Sequence, residues 1–339
     1  MNCDFSVRKD TLILQWHITS RCNLRCAHCY QESYHRPECS FTQMLSVIEQ
    51  YKKLLLKLNR KGHINVTGGE PFLREDFFDL LKVFNEHKDY FNFGILTNGT
   101  FIDKANAKRL KLLNPSFVQV SIEGDEKTHN SIRGEGNLNK VIEAIMHLKH
   151  NGIKTLVSFT AHKENYKSFP DVAALCKKIG VFKLWTDRMV PFGGAEKMQD
   201  SLLNPEETME FFNIVKRCRK QKKWGRRNKT IIELNRALQF FVNDNYPYSC
   251  NAGESLICLL EDGTVLPCRR LPIEAGNLKE LSLEQIYFGD VMKDLRREAP
   301  PPEGCNRCSY FILCKGGARC ISYAVTGDPF ARDPGCPII

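Results

Sequence analysis

Three cysteines lie close together near the start of the 339-residue chain, in the run Cys22-Asn-Leu-Arg-Cys26-Ala-His-Cys29. Thiolates are ligands for zinc and for iron–sulfur clusters, and a structural zinc site needs four ligands. Three thiolates would leave one iron of a four-iron cluster free to take an external ligand. The spacing therefore predicts an open iron–sulfur site, with His28 completing a Cys₃His zinc site as the alternative.

A second group of cysteines occupies the last quarter of the chain and is large enough for two four-thiolate sites. Its members are Cys250, Cys258, Cys268, Cys305, Cys308, Cys314, Cys320 and Cys336. Disulfides do not persist in a reducing compartment, so this spacing indicates metal ligation. Two clusters are predicted, with a pair of zinc ribbons as the alternative. The surrounding Gly and Pro residues predict a segment that metal, more than an apolar core, holds together.

Polar motifs follow three of the predicted strands. Gly68-Gly69-Glu70-Pro71 comes after the second strand, Thr97-Asn98-Gly99 after the third, and Ser121-Ile122-Glu123-Gly124 after the fourth. Glycine lets a ligand approach the backbone closely, and the carboxylate of Glu70 can receive an ammonium group. A turn explains each motif taken alone, but the carboxyl ends of parallel strands meet at one edge of a sheet. The three motifs together predict a ligand site there.

Apolar stripes at strand and helix periods alternate along the first 190 residues. Strands are predicted at 12–18, 63–67, 93–97, 117–122, 155–160 and 182–185, with a helix after each of the first five. Ser40 is the predicted N-cap of the first helix. Such alternation is typical of parallel βαβ units, so we predict an α/β fold, either a partial (β/α)₆ TIM-like barrel or an open sheet. The predicted units are a barrel over 1–205, a basic helical linker over 206–248 and a small cysteine-rich, metal-held domain over 249–339.

Composition and charge limit the cellular compartment and the partners that we expect for the protein. Apolar residues make up 42% of the chain, no run of 18 apolar residues occurs, and the first ten residues lack a signal-peptide core, so we expect a cytoplasmic protein without a membrane partner. The net charge is +10, and nine of the fourteen positions in 216–229 are Lys or Arg. That run is read as a solvated helix end and linker, or alternatively as a docking surface for an acidic partner. The positive charge of the rest of the chain is too diffuse to indicate that the protein binds nucleic acid.

The amino-terminal motifs resemble the radical S-adenosylmethionine (SAM) superfamily, whose CxxxCxφC signature follows the first strand of a partial (β/α)₆ barrel. The resemblance implies that Cys22, Cys26 and Cys29 bind a [4Fe–4S] cluster whose open iron binds SAM. One electron then releases a 5′-deoxyadenosyl radical. The SAM contacts implied by the family's motifs, in chain order, are His28, Gly68, Gly69, Glu70, Thr97, Asn98, Ser121, Glu123, Arg133 and Val190. Glu123 stands where the family more often has Asp, and Arg133 where relatives bind the SAM carboxylate.

The carboxy-terminal cysteines resemble the SPASM extension of radical SAM enzymes that modify peptides. The resemblance implies two auxiliary [4Fe–4S] clusters, and three clusters in the whole protein. Auxiliary cluster I would be held by Cys250, Cys258, Cys268 and Cys320, and auxiliary cluster II by Cys305, Cys308, Cys314 and Cys336. The family's pattern is CxxCx₅CxxxC, and the five residues between Cys314 and Cys320 exceed it by two.

The function implied by both resemblances is radical modification of a peptide, as in the maturation of ribosomal peptides, with a crosslink, a thioether or an epimer as the product. A flavodoxin or ferredoxin would supply electrons. Because the SAM motif starts at Cys22, no amino-terminal leader-binding domain is expected, and a separate leader-binding protein is possible. The rivals are a sulfatase-maturating-type enzyme, a tetrapyrrole or small-molecule modifier, and a non-catalytic electron carrier. Arg269 follows Cys268 where sulfatase-maturating enzymes have a catalytic aspartate, and arginine cannot act as that base.

Overall fold

The computed structural model describes residues 10–220, 230–234, 237–241 and 250–338. Within those residues the strands form one sheet, in the order β10-β9-β8-β1-β2-β3-β4-β5-β6-β7. The strands are β1 (Thr11–His17), β2 (Lys61–Thr67), β3 (Phe91–Leu96), β4 (Val118–Ser121), β5 (Thr155–Ala161), β6 (Lys183–Arg188), β7 (Ile231–Glu233), β8 (Leu256–Leu259), β9 (Thr264–Leu266) and β10 (Gly276–Asn277). The six predicted strands are thus confirmed as β1 to β6.

Helices separate the parallel strands and cover the outer face of the sheet. They are α1 (Phe41–Leu58), α2 (Phe77–Glu86), α3 (Lys104–Leu113), α4 (Glu126–Arg133), α5 (Asn137–His150), α6 (Phe169–Ile179), α7 (Pro205–Lys220), α8 (Leu283–Tyr287), α9 (Asp290–Arg296), α10 (Phe311–Cys314) and α11 (Arg319–Thr326). Ser40, directly before α1, forms the predicted cap as part of a capping box with Gln43.

The alternation of residues along β1 shows how the sheet positions the site. Leu12, Leu14 and Trp16 are fully buried in the apolar core. Gln15 and His17 project from the opposite face, because successive side chains of a strand alternate. Gln15 lies opposite Asn65 of β2 in the parallel register. The predicted α/β fold, a partial barrel of parallel strands, is confirmed.

Helix α4 is an element that the sequence did not predict. It has no apolar stripe, because seven of its eight residues are polar or charged. Asp125 caps its amino terminus by accepting a hydrogen bond from the Thr128 amide at 2.8 Å. The helix ends at Arg133, a predicted SAM contact, and its end lies near the carboxyl ends of the strands.

The segment predicted as a separate metal-held domain begins inside the barrel. Strand β8 pairs parallel to β1, and Ile257, Leu259 and Val265 belong to the main apolar core. Pairing with β8 covers what would otherwise be an open edge at β1. The predicted linker likewise begins with α7, whose Phe211 and Phe212 are buried in the core beside β5 and α6. Much of the basic run, 221–229, lies outside the described residues, as do 235–236 and 242–248 of the linker and the first residue, 249, of the predicted cysteine-rich domain.

Across the part of the chain that the structure covers, helices long and apolar enough to cross a membrane do not occur.

Candidate radical SAM site

The loop between β1 and α1 holds the three amino-terminal cysteines close together. Burial raises the pKa of the Cys22 thiol to about 11, and the nearby Cys26 and Cys29 add to the increase. The backbone of the Gly-Gly-Glu motif supports this loop: the Gly69 amide donates to the Thr19 carbonyl and the Glu70 amide to the Arg21 carbonyl, both at 2.8 Å. A side chain at Gly68 or Gly69 would clash with those carbonyls. The two glycines are therefore required for the loop to approach the end of β2.

Two further contacts orient the thiols. The side-chain amide of Asn98 lies 3.9 Å from the Cys22 sulfur, and Nη1 of Arg133 lies 3.7 Å from the Cys26 sulfur. The Ala27 amide donates to the Ile132 carbonyl at 3.0 Å, which ties the loop to the end of α4. The loop after β3 and the end of α4 thus both reach the thiol loop.

Glu70 joins two of the predicted motifs. It is fully buried, and burial raises the pKa of its carboxyl to about 7, although neutral donors oppose the shift. Those donors are the Thr97 hydroxyl and the Asn98 amide, each 2.8 Å from a Glu70 carboxylate oxygen. In this structure Glu70 fixes the loop after β3, and its binding to a SAM ammonium remains a prediction.

Glu123 is equally buried, but a charged arginine and a histidine lie against it. Arg133 donates to one of its oxygens through Nε at 3.1 Å and Nη2 at 2.6 Å, and Nε2 of His28 lies 3.3 Å from the same oxygen. Burial would raise the pKa of Glu123, but Arg133 and His28 outweigh it and hold the pKa well below its usual range. Three predicted SAM contacts are therefore assembled into one network.

Two buried histidine nitrogens beside that network are unsatisfied. Nδ1 of His28 and Nε2 of His162 have no hydrogen-bond partner among the described residues, and the two rings are 6.2 Å apart. Buried polar atoms are normally hydrogen-bonded, so their environment fits a polar ligand such as the adenine of SAM. Sequence reasoning missed His162. Its only signal was its position directly after β5.

The remaining two predicted contacts lie farther along the sheet. The Ser121 hydroxyl is 3.0 Å from that of Ser158 in the neighbouring strand. Val190 is buried in the core, and its carbonyl accepts the Phe192 amide at 2.9 Å. Val190 can therefore contact a ligand through its backbone at most.

The structure brings the cysteines of the predicted auxiliary set I together. Cys250, Cys268 and Cys320 pack in one cluster. Burial, with the nearby Cys268 and Cys250, raises the pKa of Cys320 to about 12. Cys258 lies in the barrel sheet. Burial raises the pKa of its thiol, and the nearby Cys268 adds to that increase. The longer spacing before Cys320 is therefore compatible with this set.

The four cysteines of set II also converge. Burial raises the pKa of Cys314 to about 12, and Cys336, Cys305 and Cys308 add to that increase. Asp333 organises the loop between them: its carboxylate accepts the Ala318 amide at 2.8 Å and the Gly335 amide at 2.9 Å.

These donor sets fit iron–sulfur clusters. In the described ranges, three or more His, Cys, Asp or Glu side chains nowhere converge as a single metal ion requires. The thiols of a four-iron cluster each bind a different iron and so lie farther apart than the ligands of one ion. The raised thiol pKa values mean that cluster binding would release protons.

Buried ion pairs that the sequence did not reveal connect the barrel with the extension. Arg188, the last residue of β6, binds Asp333 through two hydrogen bonds, of 2.9 and 2.5 Å. Arg270 pairs with Asp187 of the same strand end. The only sequence signal was the charge of two residues at the end of a strand.

A parallel α/β partial barrel with an open three-thiol loop at its strand ends defines an iron–sulfur enzyme of the radical SAM type. Residues 16–176 match the radical SAM superfamily, and residues 250–309 match the SPASM iron–sulfur cluster-binding domain. The chain belongs to the radical SAM superfamily, carries a SPASM domain and is an enzyme that uses SAM and [4Fe–4S] clusters.

Curated relatives span nearly the whole chain. An AdoMet-dependent heme synthase of Nitratidesulfovibrio vulgaris is 25% identical, over 96% of this chain and 91% of its own length. An Fe-coproporphyrin III synthase of Methanosarcina barkeri is 27% identical, over 98% and 89%. A PqqA peptide cyclase of Granulibacter bethesdensis is 24% identical, over 95% and 86%.

The fold is similar to a solved structure of SuiB from Streptococcus suis bound to S-adenosylmethionine. The TM-score is 0.78 at 18% sequence identity, covering 97% of this chain and 77% of SuiB. SuiB has also been solved with its precursor peptide SuiA. At this identity the similarity concerns the fold alone.

Proposed function

We propose that this enzyme carries three [4Fe–4S] clusters and modifies a peptide. The observation that carries the proposal is the separation of the eight carboxy-terminal thiols into two sets of four, one of which borders the SAM-cluster loop. Arg269 follows Cys268 of set I and donates to the carbonyl of Tyr30 at 2.8 Å, and Tyr30 follows Cys29. Set I and the three-thiol loop thus share a boundary at which a substrate could meet both.

We assign the chain's residues separate roles in binding the first cluster and in orienting SAM. Cys22, Cys26 and Cys29 would hold the first cluster, and the Glu123–Arg133–His28 network would orient SAM beside it. Once bound, cluster and SAM supply a 5′-deoxyadenosyl radical, which removes hydrogen from an unactivated carbon of the peptide. A flavodoxin or ferredoxin would provide the electron, and a separate protein could present the peptide's leader. The product would be a crosslink, a thioether or an epimer.

Two comparisons support a peptide substrate. One relative is a PqqA peptide cyclase, and SuiB, which has a similar fold, has been solved with its precursor peptide. A tetrapyrrole substrate is the second candidate. It is favoured by the heme synthase and the Fe-coproporphyrin III synthase, which align over 96% and 98% of this chain.

The test is an anaerobic assay of the reconstituted enzyme with SAM and a reduced flavodoxin. One reaction contains the short peptide encoded nearest to this gene, and a parallel reaction contains Fe-coproporphyrin III. We expect 5′-deoxyadenosine together with a mass change or a configurational change in the peptide. Conversion of Fe-coproporphyrin III, with the peptide unchanged, would replace the first candidate by the second.

A variant with Cys22, Cys26 and Cys29 replaced by alanine is the matched control. It removes the SAM cluster and should form neither 5′-deoxyadenosine nor product. If that variant still modified the peptide, the chemistry would not be radical SAM chemistry.

A further inference from the structure

Arg269 differs from the other deeply buried arginines of the described residues. Arg74, Arg188 and Arg269 are 7%, 5% and 6% exposed. Arg74 lies 2.6 Å from a carboxylate oxygen of Asp76, and Arg188 lies 2.5 Å from one of Asp333. Arg269 has no carboxylate within 4.0 Å in the residues that the structure describes. Its charge is therefore buried without the partner that such burial normally requires.

The contacts of Arg269 satisfy little of its guanidinium. Nη2 donates to the Tyr30 carbonyl at 2.8 Å. The aromatic rings of Tyr30 and Phe192 lie 5.3 and 5.8 Å from the guanidinium carbon. A guanidinium group has five N–H donors, and the described residues accept only one of them here. The group is thus held in place by one bond and two ring faces, with most of its donors available.

No carboxylate of the described residues forms an ion pair with Arg269, although acidic groups lie nearby. Arg269 lines a narrow cleft with His17, Glu32, Arg36 and Glu261. Arg36 is paired with Glu32 at 3.1 Å, and Glu261 interacts with Arg269 electrostatically without forming an ion pair. Burial, and then the charge of Arg269, lower the pKa of His17 well below its usual range, so His17 is neutral. Arg269 is therefore an available cation in this cleft.

Arg269 lies between the SAM-cluster loop and set I. Tyr30 follows the SAM-cluster loop, Phe192 belongs to the loop after β6, and Arg269 itself follows Cys268 of set I. Under the proposed function, a substrate that reaches both the radical and set I would pass beside these three residues. We propose that Arg269 binds a carboxylate group of the substrate, through charge-assisted hydrogen bonds that fix the substrate between the two cluster sites. The inference rests on the proposed function, because it names a chemical group of the same substrate.

A carboxylate could come from an acidic side chain or carboxy-terminus of a peptide, or from the acid side chains of a tetrapyrrole. The experiment therefore has two arms with matched neutral probes. One arm compares a synthetic peptide library containing Asp and Glu with the same library containing Asn and Gln and amidated ends. The other compares Fe-coproporphyrin III with its tetramethyl ester. Each probe is incubated anaerobically with the fully reconstituted enzyme and SAM, and the retained fraction is measured by mass spectrometry.

We expect the enzyme to retain an acidic probe in at least one arm in preference to its neutral partner. Arg269→Gln should weaken that retention at least tenfold, and Arg269→Lys should recover part of it because lysine restores the charge. Arg297→Gln is the matched control, because Arg297 is an exposed arginine of the same extension whose partner is Asp294. It should retain the acidic probe as the parent does.

The competing role for Arg269 is to balance the negative charge of auxiliary cluster I. The reduction potential of that cluster is therefore measured in the same Arg269→Gln preparations. A shifted potential with unchanged retention of acidic probes would overturn the carboxylate site, and so would equal retention of acidic and neutral probes or retention of neither. If Arg269→Gln modified the peptide as well as the parent does, this inference would be wrong and the proposed function would stand. Arg269-dependent binding of Fe-coproporphyrin III without peptide conversion would instead sink the peptide proposal.

Discussion

The barrel and the extension place cysteines in two different ways. The barrel presents three thiols on one loop, fixed by backbone contacts to the ends of β2 and α4. The extension provides eight thiols in two sets of four, gathered from β8, from turns and from short helices. A three-thiolate set leaves a cluster with an open iron, whereas a four-thiolate set closes it. Under the proposed function, we expect radical generation in the barrel, and electron transfer or substrate handling in the extension.

The two regions also differ in what stabilises them. The barrel loop rests on a sheet with a continuous apolar core. The loops of set II depend on the buried Arg188–Asp333 pair and on the amides that Asp333 orders. Loss of one cysteine ligand in the barrel should therefore disturb only the thiol loop. Loss of one in the extension should destabilise the surrounding segment as well.

The largest expected effect is the loss of all SAM cleavage when Cys22, Cys26 and Cys29 are replaced by alanine. Iron content should fall from about twelve to about eight atoms per chain, because only one four-iron cluster is removed. Iron and sulfide analysis with 5′-deoxyadenosine assays would measure both. Zinc as the native metal, without the brown colour of a cluster, would contradict the whole interpretation.

Cys268→Ala and Cys314→Ala test the other side of the comparison. Each removes one ligand from a different auxiliary set, so we expect that cluster to be lost or its potential altered. Reductive 5′-deoxyadenosine formation should persist, whereas product formation should fall to background. Both are measured on the same preparations, with SAM binding as the check that the barrel is folded. Parental turnover by a variant that lacks its auxiliary cluster would refute the division of functions.

Asp333→Asn probes the tie between the two regions. It removes the carboxylate that is hydrogen-bonded to the buried Arg188 guanidinium, and breaking such a buried pair costs about 3–5 kcal/mol. The free energy of unfolding should drop by that amount in denaturant titrations, and set II should lose its iron first. Asp294→Asn is the control, because Asp294 forms an exposed pair with Arg297. Equal stability of the two variants would mean that Asp333 does not hold the extension.

The smallest effect is expected for Arg133→Ala. The change should weaken SAM binding by roughly 1.5–3 kcal/mol, through loss of a charge-assisted contact, and leave iron content unchanged. Equilibrium SAM binding to the reconstituted variant measures it. Unaltered affinity would show that Arg133 serves Glu123 and the cluster loop alone.

The sequence predicted the features that depend on local order. Alternating apolar residues defined β1 to β6, and Ser40 marked the start of α1, because burial period and capping act over a few neighbouring residues. The cysteine spacings placed Cys22, Cys26 and Cys29 on one loop for the same reason. Helix α4 escaped prediction because its single apolar residue, Ile132, forms no stripe, and its position depends on packing.

The tertiary structure alone decided which distant groups meet. It placed β8 beside β1, so that the extension starts within the barrel's own sheet. It gave Glu123 the guanidinium of Arg133 and the imidazole of His28 as partners but gave Glu70 only neutral donors, and so moved the pKa values of two equally buried carboxyls in opposite directions. It also left Arg269 buried without a carboxylate partner among the described residues. Contacts across such separations follow from how the chain packs, and no local pattern encodes them.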